Sequence, residues 1–280
     1  MIFIITAVYN RKEFTRNYLK ALSQQTSKDF KVIIVDDGSS DGTSEMIEEE
    51  FPNIILLKEK GDLWWAEATN IGVRYALEHG ADYIMTLNDD TVPRVDFIEK
   101  MLLWIEKKPN VLLGAFAVDE NNGDAVYGGE IRSCITGKST HLIKTLQKEQ
   151  MHGLHKVNLF PGRGLMMPAK VFDDIGMYDS KNFPQTLADL DFTCRAGNAG
   201  YEMYCNYDAV VGIYPEESGG IYLMKKKSFS NYYKHLFDLK GGGNIIRFSI
   251  FAIKNVPFYY LPIFLMRGLS ARLLSYWLKK

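Results

Sequence analysis

Continuous apolar runs alternate with amphipathic segments along residues 1–90 of the chain. Hydrophobic runs predict strands at 2–8, 31–35, 53–57 and 83–87. Amphipathic segments between them predict helices at 12–25, 44–51 and 64–79. Apolar runs without a polar alternation are typical of strands that are covered on both faces. The pattern therefore predicts an α/β fold, with a mostly parallel sheet flanked by helices.

The pattern of the later chain is less regular. It predicts strands at 111–118, 165–167, 201–205 and 209–213. A helix is expected to begin near Pro168, and a second helix carries residues 189–195 and ends at the turn 198–200. Residues 119–156 are polar and rich in Gly, Lys and Thr, which predicts a flexible or ligand-covering loop.

Carboxylates collect where two of the predicted strands end. Asp36 and Asp37 follow the second strand, and Asn88, Asp89 and Asp90 follow the fourth. Ligands of open parallel sheets bind beyond the carboxyl ends of the strands, so both clusters are expected to face one crevice. Adjacent carboxylates repel each other unless a cation lies between them, and Mg2+ or Mn2+ binds such oxygens together with substrate phosphates. The second cluster therefore indicates either a metal site for a nucleoside diphosphate or a turn that caps the following helix.

Composition is that of an ordinary globular chain, but charge is unevenly distributed. Of 280 residues, 46% are hydrophobic and 24% are charged, which allows one large or two small domains. Three cysteines without metal-ligand spacing favour a reducing compartment and no disulfides. The net charge is −1, yet residues 221–280 contain eleven Lys or Arg and one acid, so residues 1–220 carry −11. This asymmetry hints at a surface or a polyanion as a partner of the C-terminal end.

Residues 244–280 mix aromatic and aliphatic residues with isolated basic ones. Their longest charge-free stretch, 255–266, has twelve residues and two prolines, well short of the ~20 needed to cross a bilayer. Two interpretations stay open: basic amphipathic helices that lie on an anionic membrane, or a helical cap packed on the domain or against a second copy. We therefore predict two units, at 1–220 and 221–280.

Four short motifs stand at the ends of these elements. They are Thr6-Ala7-Val8-Tyr9-Asn10-Arg11, the run 35–43 around Asp36, Asp37 and Gly38, Asn88-Asp89-Asp90, and Ala188-Asp189-Leu190-Asp191. Together they resemble the motifs of inverting family 2 glycosyltransferases of the GT-A fold, over roughly residues 1–215. The stretch 61–65, with Ala68, Asn70 and Gly72, is similar to rhamnosyltransferase-like members of that family.

The resemblance implies a sugar donor linked to UDP or dTDP and a hydroxyl acceptor on a glycan or polyprenyl-linked saccharide, in polysaccharide biosynthesis and without nucleic acid. It assigns Mg2+ or Mn2+ to Asp90, with Asp89 as a weaker second ligand, because Asn88 replaces the first Asp of the family's metal motif. Donor contacts are expected from the following residues: Thr6, Tyr9, Asn10, Arg11, Asp36, Asp37, Gly38, Trp65, Asn70, Asn88, Asp89 and Arg163.

The resemblance also places the general base on the helix that carries Asp189 and Asp191. The acceptor hydroxyl must lose its proton to a carboxylate within hydrogen-bond reach. Asp189 is the first choice and Asp191 the alternative, since side chains two residues apart on a helix point in different directions. Ala188 stands where the family has a Glu, which leaves the orientation of the base in question.

Two other functions compete with this interpretation. A sugar nucleotidyltransferase would normally have a Gly-rich phosphate loop with a basic residue after the first strand. The segment Tyr9-Asn10-Arg11, which follows that strand, is not such a loop. A degenerate, non-catalytic protein that binds a glycan or a partner enzyme is favoured by Asn88 and Ala188. A dinucleotide-dependent oxidoreductase is disfavoured, because no G-x-G-x-x-G follows the first strand. The favoured interpretation is a cytoplasmic, metal-dependent glycosyltransferase that reaches the inner face of the cell membrane if residues 221–280 bind lipid.

Overall fold

The structure, a computed structural model, describes residues 1–215 and 227–278. Its N-terminal part alternates strands and helices in the predicted order. The strands are β1 (Ile2–Val8), β2 (Phe30–Asp36), β3 (Ile55–Lys58) and β4 (Tyr83–Thr86). The helices between them are α1 (Lys12–Ser23), α2 (Thr43–Glu50) and α3 (Trp64–Glu78).

The next part of the chain contains more regular structure than its sequence pattern predicts. Its elements are β5 (Thr91–Pro93), α4 (Phe97–Lys107), β6 (Val111–Asp119), β7 (Ala125–Tyr127), β8 (Glu130–Arg132), β9 (Ser139–His141) and β10 (Leu154–Val157). The prediction of one loop across 119–156 is therefore wrong, because β7, β8, β9, the start of β10 and two 3₁₀ turns occupy this stretch. Strands of three residues are too short to show an apolar period.

The remaining elements carry the chain to its C-terminal helices. They are β11 (Leu165–Pro168), α5 (Lys170–Ile175), α6 (Ala188–Asn198), β12 (Glu202–Ile213), α7 (Phe229–Phe237), α8 (Ile245–Asn255) and α9 (Leu261–Leu278). The two strands predicted at 201–205 and 209–213 form one strand, β12, whose register against β6 shifts between Asn206 and Val210. The predicted domain boundary between residues 220 and 221 lies outside the described residues.

The main sheet has the strand order β10-β12-β6-β11-β4-β1-β2-β3. Strands β1 to β4 pair in parallel, whereas β11 runs antiparallel between β4 and β6. Because successive strand residues face opposite sides, Phe3 and Ile5 join one buried cluster and Ile2 and Ile4 join the other. The carboxyl ends of β1, β2 and β4 consequently meet at one edge, between the two helical layers.

The C-terminal helices pack on the α/β domain through α8. Phe251 and Ala252 of α8 are buried in the same apolar cluster as Phe192 of α6. Helix α9 packs on α8, where the Phe264 ring stacks on Phe248 with centroids 5.6 Å apart. Within residues 1–215 and 227–278, no helix is both long enough and apolar enough to cross a membrane. Cys134, Cys194 and Cys205 are free cysteines, exposed, partly buried and buried respectively.

Candidate active site

A cavity of about 600 Å³ opens where β1, β2 and β4 end. The loops after these strands form most of its wall, and the first turn of α3 forms another part. Of the predicted site residues, those that line it are Tyr9, Arg11, Asp37, Gly38, Trp65, Asn88, Asp89, Asp90 and Arg163. The structure thus brings Asp37 of the first cluster and Asp89 and Asp90 of the second to one crevice, as the parallel sheet required.

Four predicted donor contacts lie outside this lining and hold the surrounding backbone instead. The hydroxyls of Thr6 and Tyr18 are 2.7 Å apart, and Asn10 Oδ1 accepts a hydrogen bond from the Ser40 amide at 2.7 Å. Asp36 is buried and accepts from the Ser39 amide at 2.9 Å. Asn70 is also buried and exchanges two hydrogen bonds with the Tyr178 backbone. Thr6, Asp36 and Asn70 are buried, whereas Asn10 is exposed and binds the loop after β2.

Arg11 links the loop after β1 to the carboxylates after β4. Its Nε donates to Asp89 Oδ2 at 2.9 Å, and its Nη2 lies 3.7 Å from Asp90 Oδ2. Asp89 is only 6% exposed. Burial raises the pKa of Asp89 to about 7, with Arg11 acting against burial and the charge of Asp90 adding to it. Asp89 therefore depends on positive charge nearby to stay ionised at neutral pH.

Asp37 fixes the start of α3 beside the cavity. Its carboxylate accepts hydrogen bonds from the backbone N–H groups of Leu63, at 3.1 Å, and Trp64, at 3.0 Å. Gly38 packs against this segment with φ +79°, and a Cβ there would stand 2.8 Å from the Gly61 nitrogen. Only glycine suits that position, because the backbone is left-handed and the space is filled. The loop after β2 and the start of α3 thus form one wall.

Several residues around the cavity have positive φ although they are not glycine. They are Asn10 (52°), Asp62 (73°), Trp64 (61°) and Leu187 (70°). A left-handed conformation costs a non-glycine residue roughly 1–2 kcal/mol. Asp62 and Trp64 line the cavity, Asn10 stands between two lining residues, and Leu187 directly precedes α6.

Trp65 lies between Asn88, the first residue of the predicted metal motif, and the segment that binds Asp189, the predicted base. Its Nε1 donates to Asn88 Oδ1 at 3.2 Å. On its other side the indole packs against Gly162, where a Cβ would stand 2.7 Å from Trp65 Cζ2 and 3.6 Å from Asp189 Cβ. The Gly162 amide donates to Asp189 Oδ2 at 3.1 Å. A continuous series of contacts therefore joins Asn88 to Asp189.

The carboxylate of Asp189 is oriented by backbone groups. Besides Gly162, the Leu190 amide donates to its Oδ1 at 2.8 Å. Burial raises the pKa of Asp189, although both amides and the charge of Arg163 oppose that change. Two backbone amides therefore orient the Asp189 carboxylate, at a site where Ala188 stands in place of the Glu that the resemblance led us to expect. No local sequence signal could have revealed this, since Gly162 is far away along the chain.

Asp191 is placed differently, in a buried ion-pair cluster. It is fully buried and accepts hydrogen bonds from Arg195 Nε at 2.9 Å, Lys254 Nζ at 3.0 Å and Asn255 Nδ2 at 2.9 Å. Neither Asp191 nor Asp189 is among the residues that line the cavity, but Asp189 is hydrogen-bonded to Gly162, next to the lining residue Trp65. The visible role of Asp191 is to hold α8 against α6.

Three cavity residues were missed by the sequence analysis. Lys60 and Lys240 line the wall, and Gln185 both lines it and accepts a hydrogen bond from the Trp65 amide at 3.2 Å. The Gly run at 241–243 was the only nearby signal for Lys240. Across 1–215 and 227–278, no group of three or more His, Cys, Asp or Glu side chains is arranged to hold a metal ion.

Comparison with known proteins places these features in one family. The model for "Glycosyl transferase family 2" matches residues 3–176. An uncharacterized glycosyltransferase of Haemophilus influenzae is 35% identical over 111 residues, which are 40% of this chain and 36% of that protein. The dTDP-rhamnosyl transferase RfbF of Shigella flexneri is 22% identical, over 71% of this chain and 64% of its own. The N-acetylglucosaminyl-diphospho-decaprenol L-rhamnosyltransferase of Mycobacterium tuberculosis is 21% identical, over 71% of each.

Solved structures confirm the predicted GT-A fold. S. aureus TarS 1-349 in complex with UDP aligns with a TM-score of 0.59 and 14% identity, over 99% of this chain and 88% of that one. The mannosyltransferase PcManGT of Pyrobaculum calidifontis, in complex with GDP-Man and Mn2+, aligns with a TM-score of 0.60 and 15% identity. That alignment covers 98% of this chain and 72% of the other.

Proposed function

Because this chain belongs to glycosyl transferase family 2, we propose that it transfers a sugar from a nucleoside-diphospho-sugar to a hydroxyl of a glycan or polyprenyl-linked saccharide. The observation that carries the proposal is the single cavity in which the loops after β1, β2 and β4 meet. Its volume of about 600 Å³ lies in the range of roughly 300–1,000 Å³ that suits small-molecule ligands. Carboxylates and cationic side chains share its wall. The carboxylates suit a divalent cation and the N–H groups of a nucleobase, and the cationic side chains suit a diphosphate.

The nucleoside is proposed to bind at the wall formed by Asp37 and Gly38. Two backbone N–H groups already bind the Asp37 carboxylate. A carboxylate can accept about four hydrogen bonds, so Asp37 keeps capacity for the ring N–H of uracil or thymine. UDP and dTDP donors both satisfy this chemistry, and the names of RfbF and of the TarS complex mention the same two nucleotides.

The oxygen atoms after β4 fit a hard divalent cation. Asp89 and Asp90 present carboxylates at the cavity wall, and the cationic group near both is the Arg11 guanidinium. Mg2+ is typically held by one or two carboxylates together with substrate phosphates, so a third protein ligand is not required. Asp90 would hold Mg2+ or Mn2+, with Asp89 as the second ligand. The cation would then stabilise the charge on the departing diphosphate as a Lewis acid.

Asp189 is proposed as the general base. The acceptor oxygen attacks the anomeric carbon on the face opposite the diphosphate, and its proton passes to the Asp189 carboxylate. The bond between the anomeric carbon and the phosphate oxygen breaks, and its electron pair leaves with the diphosphate. One such displacement inverts the anomeric centre. The raised pKa of Asp189 makes its carboxylate a better proton acceptor at neutral pH.

An assay of donor turnover distinguishes a glycosyltransferase from a non-catalytic, glycan-binding protein and from a sugar nucleotidyltransferase. The chain is incubated with UDP- and dTDP-sugars, a polyprenyl-diphosphate-linked saccharide, and either Mn2+ or EDTA. We expect acceptor-dependent release of the nucleoside diphosphate with Mn2+, and none from an Asp189→Asn variant. If no donor releases its nucleoside diphosphate while glycan binding is detected, the non-catalytic function is correct. Release of pyrophosphate from a nucleoside triphosphate and a sugar phosphate would instead identify a nucleotidyltransferase.

We propose that the protein binds an anionic membrane surface and takes its acceptor there. Helices α7 and α9 and the segment between α8 and α9 expose large apolar side chains: Phe229 (83%), Tyr233 (65%), Phe258 (83%), Met266 (67%) and Leu278 (75%). Residues 239–280 contain basic residues but no Asp or Glu. Two such surfaces would repel each other, whereas anionic headgroups neutralise them and the apolar side chains enter the interface.

Vesicle sedimentation tests the membrane proposal. The chain should pellet with phosphatidylglycerol vesicles, pellet less at high salt, and stay in the supernatant with phosphatidylcholine alone. A Phe229→Ser, Phe258→Ser, Met266→Ser variant should lose most of this binding at unchanged fold. No binding to anionic vesicles at low salt would contradict the membrane proposal. A dimer in solution that this variant disrupts would assign the surface to another copy of the chain.

A further inference from the structure

The donor cavity is completed by a side chain from the C-terminal helices. Lys240 lies in the turn between α7 and α8, and it lines the cavity together with residues that follow β1, β2 and β4. The family match ends at residue 176, so this contribution comes from a part of the chain that the family model does not cover. The C-terminal helices are therefore part of the site and not only a covering layer.

The turn that carries Lys240 is a fixed structure. The Lys240 amide donates to Asp238 Oδ1 at 3.0 Å, and Asn244 Nδ2 donates to the Asp238 carbonyl at 3.0 Å. A Cβ at Gly241 would collide with the carbonyls of Lys234 and His235, and one at Gly243 would collide with the His235 ring. Only glycine therefore lets the turn lie this close to the end of α7.

Helix α8 ties the same turn to the helix that carries the proposed base. The N-terminus of α8 is capped by Asn244, whose Oδ1 accepts from the Arg247 amide at 2.9 Å. At its other end, Lys254 binds Asp191 at 3.0 Å and Asp179 at 2.6 Å. Because Asp191 is on α6, Lys240 is held at a set position relative to Asp189.

Lys240 is a cation without an anionic partner in the described chain. Arg11 is paired with Asp89, but Lys240 forms no ion pair within residues 1–215 and 227–278. Its ammonium lies over the Trp64 ring, 5.7 Å from the centroid. The Trp64 amide is bound by Asp37, at the wall proposed for the nucleoside. A cation at this place shares the cavity with the wall proposed for the nucleoside and with the carboxylates proposed to hold a divalent cation.

We propose that Lys240 binds a phosphate oxygen of the donor's diphosphate, so that the C-terminal helices supply part of the donor site. This inference rests on the proposed function, because it requires a nucleoside diphosphate in the cavity. The ammonium donates a charge-assisted hydrogen bond to the phosphate, while the Trp64 ring faces the ammonium from the cavity wall. A purely structural role, in which the ammonium only packs on Trp64, requires no ligand.

Calorimetric titration of the full chain with UDP, dTDP and GDP, each in the presence of Mn2+, tests the proposal. For the nucleotide that binds most tightly, the affinities of that nucleotide and of its parent nucleoside are then measured in the Lys240→Met, Lys240→Arg and Lys234→Met variants. Lys234 is an exposed lysine of α7 outside the cavity wall, so its variant changes the net charge equally. We expect Lys240→Met to weaken diphosphate binding about tenfold and nucleoside binding less than twofold. Lys240→Arg should keep most of the affinity, and Lys234→Met should match the wild type.

The outcomes that overturn the proposal differ from those that overturn the function. Unchanged diphosphate binding in Lys240→Met, or an equal loss for the nucleoside, would leave Lys240 with only its contact to Trp64. An equal loss in Lys234→Met would reduce the effect to overall charge. If the wild-type chain binds none of the three nucleotides, the proposed function itself fails and this inference with it. An unchanged melting temperature in Lys240→Met shows that the comparison is made between folded proteins.

Discussion

Asp189 and Asp191 stand two residues apart on α6, yet their carboxylates bind different parts of the molecule. The Asp189 carboxylate accepts hydrogen bonds from the backbone N–H groups of Gly162 and Leu190. Asp191 binds Arg195 and Lys254 beneath α8. The helix thus separates two acidic residues that the sequence presents as near equivalents.

Their amide variants should therefore fail in different ways. Asp189→Asn should lower kcat by at least about 100-fold, because an amide cannot take the proton, with donor affinity and stability unchanged. Asp191→Asn should keep most of the activity but lose about 2 kcal/mol of unfolding free energy, because two partly solvated cations lose a buried partner. Steady-state kinetics and urea unfolding measure the two effects. The opposite ranking would move the base to Asp191.

The pH dependence of transfer should report the ionisation of Asp189. Only the deprotonated carboxylate can accept a proton, so the rate should fall as the pH drops through the pKa of Asp189. Burial raises that pKa above the ordinary value of 3.8, with Arg163 opposing. Single-turnover rates at saturating donor and Mn2+ should show the acid limb above pH 3.8, and Asp191→Asn should keep it. A limb at or below that value would contradict the assignment.

Gly162→Ala should disturb the wall between Trp65 and Asp189. The new Cβ would stand 2.7 Å from the Trp65 ring, so either the indole or the 160–164 backbone must shift. The Gly162 amide would then orient the Asp189 carboxylate poorly, and we expect kcat to fall about tenfold or more, since small misplacements of catalytic groups are costly. Gly242→Ala is the control, because a Cβ there has nothing within 4 Å. Equal activity of both variants would show that the wall tolerates the shift.

Asp90→Ala should remove the effect of Mn2+ on diphosphate binding. The wild-type chain should bind its nucleoside diphosphate more tightly with Mn2+ than with EDTA, because the cation bridges carboxylate and phosphate. In Asp90→Ala the two affinities should become equal within about twofold, and the exposed Asp124→Ala should behave as the wild type. Isothermal titration gives both values. An undiminished Mn2+ effect in Asp90→Ala would place the cation elsewhere.

Glu67 should contribute to stability above its ordinary pKa and lose that contribution in acid. Burial alone would raise its pKa, but hydrogen bonds from Ser180, Arg74 and Asn70 outweigh burial and lower it below 4.5. The folded state therefore binds a proton less readily than the unfolded chain, so this stabilisation is present above pH 4.5 and disappears as pH falls through the lower, folded value. Urea unfolding should show a shallower acid dependence for Glu67→Gln, whereas Glu149→Gln, at an exposed site, should keep the wild-type slope.

The fold was predictable where the chain repeats a strong local pattern. The apolar runs that became β1, β2 and β4 are buried on both faces, and their carboxyl ends had to meet. That geometry alone placed Asp37 beside Asp89 and Asp90. By contrast, β5 has three residues and exists because it pairs with β12, more than a hundred residues later. No window of sequence contains that information.

The site was predictable to the extent that its residues directly follow strands. Arg11 and Asp90 obey this rule, but Gln185 and Lys240 reach the cavity through tertiary packing. The distinction between Asp189 and Asp191 likewise depends on Lys254, which arrives from another helix. Helical spacing could say that the two carboxylates diverge, but not which of them would be bound by Gly162, next to Trp65, and which by Lys254.

The residues with positive φ around the cavity have a consequence for the entropy of donor binding. Asn10, Asp62 and Trp64 each hold a conformation that costs a non-glycine residue roughly 1–2 kcal/mol, and such conformations persist only where the surrounding contacts fix them. The loops are thus ordered in the free protein, and the donor has little backbone entropy left to remove. Binding should accordingly have a small unfavourable conformational entropy, of the kind seen for rigid, preorganised sites.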